Sequence, residues 1–154
     1  MPHLRLYIPE EWLREDFQRA TGFDAKKLLD RLVQVVAEFR MENVKTDEQG
    51  NRAGPETVPM INLSNLKHAI VPLYYAHVGG DLSKGFLHAT LAAGNDTPGR
   101  TAEVRRRAAK VLGDEIDQFV GNLPGLGSVT VHVQDIDRDR GYSTTAERKK
   151  ARQP

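Results

Sequence analysis

The chemistry available to this chain begins at its second residue. Proline after an initiator methionine normally permits removal of Met1, and the cleaved chain then starts with a free secondary amine. An α-amine titrates near ~8, and desolvation or a neighbouring cation moves it toward neutrality. In that state it is a general base at physiological pH. The pyrrolidine ring holds the nitrogen on a rigid frame, which favours repeatable positioning. A chain that keeps Met1 has an amide there and no base, and Pro2 is then an accident of the start site. The other candidates carry less chemistry. His3, His68, His77, His88 and His132 include no His-Glu-x-x-His pattern and no pair at helical spacing four; they read as structural or surface residues, and no metal is expected. Gly79-Gly80-Asp81-Leu82-Ser83-Lys84-Gly85 lacks the spacing of a phosphate loop and precedes a strand pattern rather than a helix, so it reads as a hairpin connection. The triplet Arg105-Arg106-Arg107 fans across different sides of a helix near Glu103, Asp114 and Glu115 and reads as a solvated face. Arg148-Lys149-Lys150 reads as part of a solubilising tail.

The elements that must position Pro2 start immediately after it. Leu4, Leu6 and Ile8 alternate with His3, Arg5 and Tyr7, the period-two signature of a strand at 3–8. Pro9 interrupts it, and 10–21 is a charged stretch around Trp12, Leu13 and Phe17 that suits a short helix closed by Gly22. Asp24 is an N-cap for a helix over 24–39 whose Leu28, Leu29, Leu32, Val33, Val36 and Phe39 recur at three and four. Residues 41–66 are less regular. The polar run 45–55, with two glycines and a proline, reads as a loop or insertion. A strand follows at 69–78, where Pro72 implies an edge or a bulge, and another at 86–92. Thr101 caps a helix over 101–120 with Val104, Ala108, Val111, Leu112, Ile116 and Phe119 inward, and 128–134 alternates as a final strand. The polar tail 138–154 lies outside a domain spanning 1–137. This order is two strand–helix–strand units in tandem. It predicts an α+β fold: a four-stranded mixed sheet with two helices on one face.

Composition narrows the partners. A chain of 154 residues, 39% hydrophobic and 28% charged, suits one compact domain. Its 22 Lys and Arg against 21 Asp and Glu give a formal charge of +1, which argues against a general nucleic-acid grip. Absence of cysteine removes disulfides, thiolate nucleophiles and cysteine-based metal sites. No run approaches the ~18 apolar residues of a membrane-spanning helix, and the start lacks a secretory pattern. A cytoplasmic protein is expected, with no membrane or nucleic-acid partner.

Several short motifs, in order, resemble the tautomerase superfamily, and within it 5-carboxymethyl-2-hydroxymuconate isomerase-like proteins. They are Met1-Pro2-His3 leading straight into a strand, Phe86-Leu87-His88-Ala89-Thr90-Leu91, Gly99-Arg100-Thr101 with its helix, and Val133-Gln134-Asp135-Ile136-Asp137. The resemblance covers the first strand and most of 86–137, and is weak through 41–78, where this chain is longer than the family. It implies Pro2 as acid/base residue and a homotrimer with sites near subunit interfaces. The implied reaction moves a proton in a small unsaturated keto or enol carboxylic acid, with no cofactor. Family members hold substrate carboxylates with arginines, whose planar fork suits the task. The strand at 69–78 contains none, which leaves Arg40, Arg52 and Lys67 as candidate cations, Arg40 and Lys67 foremost. The alternative is a non-catalytic oligomeric scaffold or small-ligand binding module of the same fold.

Overall fold

A computed structural model describes residues 2–46, 52–74, 78, 81, 83–94 and 99–136. Its elements in chain order are β1 (His3–Pro9), a 3-10 turn (Glu10–Leu13), α1 (Glu15–Thr21), α2 (Ala25–Glu38), β2 (Arg40–Thr46), β3 (Arg52–Pro59), β4 (Lys67–Leu73), β5 (Gly85–Gly94), α3 (Ala102–Val120) and β6 (Leu126–Ile136). The tail 138–154 and residues 75–77, including His77, lie outside the described residues; the strand expected at 69–78 runs instead from Lys67 to Leu73, with Tyr74 beyond its end and Val78 bridged to Asp81.

The main sheet has the order β4-β1-β5-β6. β1 runs parallel to β4, β5 parallel to β6, and the central pair β1/β5 is antiparallel. A helix crossover forces parallel pairing within each unit; the two units then meet head to tail along the middle of the sheet. The expected fold is therefore the observed one. β4 is an edge strand, as Pro72 requires, because a residue without an N–H costs nothing on the unpaired side.

Alternation sets the core. Leu4, Leu6 and Ile8 of β1 and Leu87, Ala89 and Leu91 of β5 are fully buried on one face, against Leu28, Leu32 and Val36 of α2 and Leu112 and Ile116 of α3. Both helices therefore cover the same face. Each starts at its expected cap: Asp24 accepts from the Lys26 and Lys27 amides at 3.0 and 3.1 Å, and Thr101 from the Val104 amide at 3.3 Å. One inward assignment is corrected. Val111 is 38% exposed, and Val120 completes the buried stripe of α3 instead.

Residues 40–59 differ from expectation. They contain an antiparallel pair, with Arg40 opposite Pro59 and Glu42 opposite Thr57, rather than irregular chain on either side of the 45–55 run. Neither strand has clean alternation, and Gly54 and Pro55 lie within β3. Cross-strand hydrogen bonds hold the pair, and its base is anchored through Met41, Met60 and Ile61, each at most 3% exposed. The hairpin expected at 79–85 is corrected: β1 lies between β4 and β5, so the two strands flanking this segment are not paired with each other. Among its described residues the Val78 amide bonds the Lys84 carbonyl at 2.9 Å and Ser83 is held by the Asp81 carboxylate. Gly127 of β6 passes so close to this connection that a Cβ would sit 2.9 Å from Val78 Cγ2 and 3.2 Å from the Gly85 carbonyl.

Candidate active site

Pro2 stands at the head of β1, a central strand, and is half-buried. Its carbonyl accepts the Lys67 amide at 3.0 Å, the first rung of the β1/β4 ladder, and the next pair in register is His3 opposite Lys67. The parallel crossover thus brings together two residues 65 positions apart, Pro2 and Lys67, with the exposed lysine beside the N-terminal strand. His3 feels this environment. Partial burial, then the Arg5 and Lys67 charges, hold its imidazole below the usual histidine range.

Arg40 is engaged elsewhere. Its Nη1 donates to the Ala37 carbonyl at the end of α2, at 3.1 Å, and its own carbonyl accepts from Arg107 Nη2 at 2.8 Å. A helix C-terminus favours a cation in this way, and no described contact joins Arg40 to Pro2. Arg52 opens β3, opposite Thr46.

Two arginines outside the candidate cations build this end of the sheet. Arg100, on the β5–α3 connection, donates from Nη1 to the Gly94 carbonyl and from Nη2 to the Met60 carbonyl at 2.8 Å. Gly94 lies two residues beyond Ala92, the partner of His3, so the Arg100 fork ties the base of the β2/β3 hairpin to the strand beside Pro2. Arg105 donates from Nη1 to the Asp135 carboxylate at 2.5 Å and to the Arg100 carbonyl at 3.1 Å. The triplet is accordingly more than a solvated face: Arg105 joins α3 to β6, and Arg107 lies over the Phe39 ring at 5.1 Å. The only local hint was the place of Arg100 just before the helix cap.

The sheet face away from the helices is polar. Lys67 on β4, His3, Arg5 and Tyr7 on β1, His88 and Thr90 on β5, and Thr130, His132 and Gln134 on β6 share it by register. A cavity of about 270 Å³ opens on it, lined by His3, Arg5, Tyr7, Thr90, Ala92, Gln134 and Ile136. Further along, His88 Nδ1 meets Thr130 Oγ1 at 2.6 Å and its ring lies 5.6 Å from that of Tyr7. Burial and the neighbouring His132 lower its pKa, against the opposing Thr130 hydrogen bond. Among the described residues no group of three or more His, Asp or Glu could hold a metal ion, and no helix is long and apolar enough to cross a membrane.

No family model matches the chain, and no curated protein matches it in sequence. Solved structures do match its fold. A 5-carboxymethyl-2-hydroxymuconate delta-isomerase aligns over 100% of this chain and 95% of its own, with a TM-score of 0.61 and 17% identity. A 5-carboxymethyl-2-hydroxymuconate isomerase from Deinococcus radiodurans R1 covers 99% and 95%, with a TM-score of 0.57 and 15% identity. A fused 4-OT symmetric trimer covers 93% and 92%, with a TM-score of 0.55 and 14% identity. The tandem strand–helix–strand units thus have the fold of these isomerase and 4-OT structures.

Proposed function

We propose that this protein is a cofactor-independent tautomerase or isomerase that moves a proton in a small unsaturated keto or enol carboxylic acid. The observation that carries the reading is the adjacency of Pro2 and Lys67 at the head of a central strand in this fold. With Met1 removed, the Pro2 amine takes a proton from an activated carbon or an enol hydroxyl. The electron pair left behind spreads into the conjugated system, and the same nitrogen returns the proton at another atom. A cation beside the amine favours its neutral, basic form. Lys67 is the cation for the substrate carboxylate and the developing dienolate. Arg40 serves as a second cation if an assembled neighbour brings it to this end. The protein acts in the cytoplasm as a homotrimer, an assembly that covers the sheet face left open by the helices.

The experiment compares three chains on phenylenolpyruvate, chosen as a simple enol acid. These are the processed protein, Pro2→Ala, and a chain that retains a residue before Pro2. Mass analysis of the N-terminus establishes which form each preparation holds. General-base catalysis contributes roughly 10²–10⁴-fold, so the extended chain loses activity to background while Pro2→Ala, with a primary amine in the same place, keeps part of it. Full activity in the extended chain refutes the mechanism. A properly processed chain that binds enol acids without turning them over supports the rival reading, a small-ligand binding module. Light scattering at micromolar concentration tests the trimer, and a monomer mass rejects it.

A further inference from the structure

We infer that the open face of the sheet carries a binding site for a small doubly charged oxyanion, in the cavity formed by His3, Arg5, Tyr7, Thr90 and Gln134. By register this face presents Lys67, Arg5 and three histidines, and no Asp or Glu among its described residues. The carboxylate nearest in sequence, Asp135, alternates to the helix side and is bound by Arg105. Among its described lining residues the cavity therefore carries positive charge and no carboxylate. Its lining offers a guanidinium, an imidazole, two hydroxyls and a carboxamide as donors, a set that matches an oxyanion and offers little to a cation. Ala92 and Ile136 supply an apolar wall. Its volume of about 270 Å³ is close to the lower end of small-molecule pockets, roughly 300 Å³.

The charges that face His3 come from Arg5 on its own strand and Lys67 on β4; β5 contributes only His88 and β6 only His132 to this face. All are cationic or neutral, so a bound dianion offsets the Arg5 and Lys67 charges and favours the charged form of His3. An assembly that buries this face encloses the anion, because each copy otherwise presents like charge to the next. The site lies within one chain and does not use the Pro2 amine, so it stands or falls separately from the proposed proton transfer.

Calorimetric titration at constant ionic strength tests it, with inorganic phosphate in one arm and succinate in the other, against wild type, Arg5→Gln, Gln134→Glu and Lys110→Gln. Wild type binds at least one of the two saturably; phosphate alone marks a compact oxyanion, and succinate alone a dicarboxylate. Arg5→Gln weakens binding tenfold or more, as expected for loss of a charge-assisted hydrogen bond. Gln134→Glu removes binding by placing a carboxylate in the cavity, and Lys110→Gln, which removes an exposed charge on α3, leaves it unchanged. The His3 imidazole, followed by NMR, titrates at higher pH when the site is filled. Circular dichroism verifies that the variants fold. Running each arm on chains with and without Met1 separates the two readings, since anion binding persists in both while proton transfer does not. Absence of saturation below about 10 mM for both anions, or an equal loss in Lys110→Gln and Arg5→Gln, overturns the site.

Discussion

Replacing Arg100 by alanine removes the fork that joins three parts of the molecule near Pro2. Its guanidinium bonds the Gly94 carbonyl at the end of β5 and the Met60 carbonyl at the base of the hairpin. Hydrogen bonds to a charged donor contribute about 1.5–3 kcal/mol each, and a buried acceptor left unpaired forfeits that amount. Met60 is 2% exposed, so its carbonyl finds little water once the arginine is gone; Gly94 is half-buried and recovers part of its loss. We therefore expect a destabilisation of about 2.5 kcal/mol, a fall in melting temperature of roughly 5–10 °C for a domain of this size. Equilibrium urea denaturation of wild type, Arg100→Ala and Arg100→Lys measures it. Lysine keeps the charge but not the planar fork, reaches one carbonyl at a time, and restores less than half of the loss. Hydrogen exchange reports where the damage falls: protection drops in β5 near Gly94 and at Met60 while α2 is unaffected. An Arg100→Ala protein within about 0.5 kcal/mol of wild type, the range of an inert surface change, refutes the clamp.

Lys67→Met leaves the backbone rung to Pro2 intact and removes an exposed charge, so stability moves by less than about 0.5 kcal/mol while kcat/KM on an enol acid falls about tenfold or more, the loss of one charge-assisted contact. Leu91→Ala, at a fully buried position on β5, costs about 3 kcal/mol in urea denaturation. Thr90→Ala, one residue away on the open face, costs less than about 1 kcal/mol, and similar losses at both positions contradict one-sided helix cover. His3 and His88 have folded pKa values below the free imidazole value of 6.5, so the unfolded chain binds more protons. Their contribution to stability is complete above pH 6.5 and is lost as pH falls through the folded values. Melting temperatures measured from pH 8 to about 5 decline in wild type, and the decline is shallower in His3→Gln/His88→Gln; an identical slope rejects the linkage.

Local periodicity carried much of the fold. Leu4, Leu6 and Ile8 announced β1, and the Leu28–Leu32–Val36 stripe announced α2, because alternation and a three-four repeat record which side of an element meets the core. Asp24 and Thr101 marked helix starts through hydrogen bonds to amides two or three residues away. The β2/β3 hairpin escaped because neither strand alternates apolar and polar residues and Gly54 and Pro55 lie within β3. Pro2 was legible as a chemical candidate from residue type alone. Lys67 and Arg40 were legible as candidate cations, but not which of them meets Pro2. Lys67 reaches it through a crossover, Arg100 is spent on two carbonyls from different parts of the chain, and Arg40, on β2, turns back to the end of α2. The gathering of His3, Arg5, Thr90 and Gln134 into one cavity depends on the strand order β4-β1-β5-β6 and its register. A sequence records the face each residue takes within its own strand. Which strands lie side by side is settled by long-range packing, and that packing alone decides which charges meet.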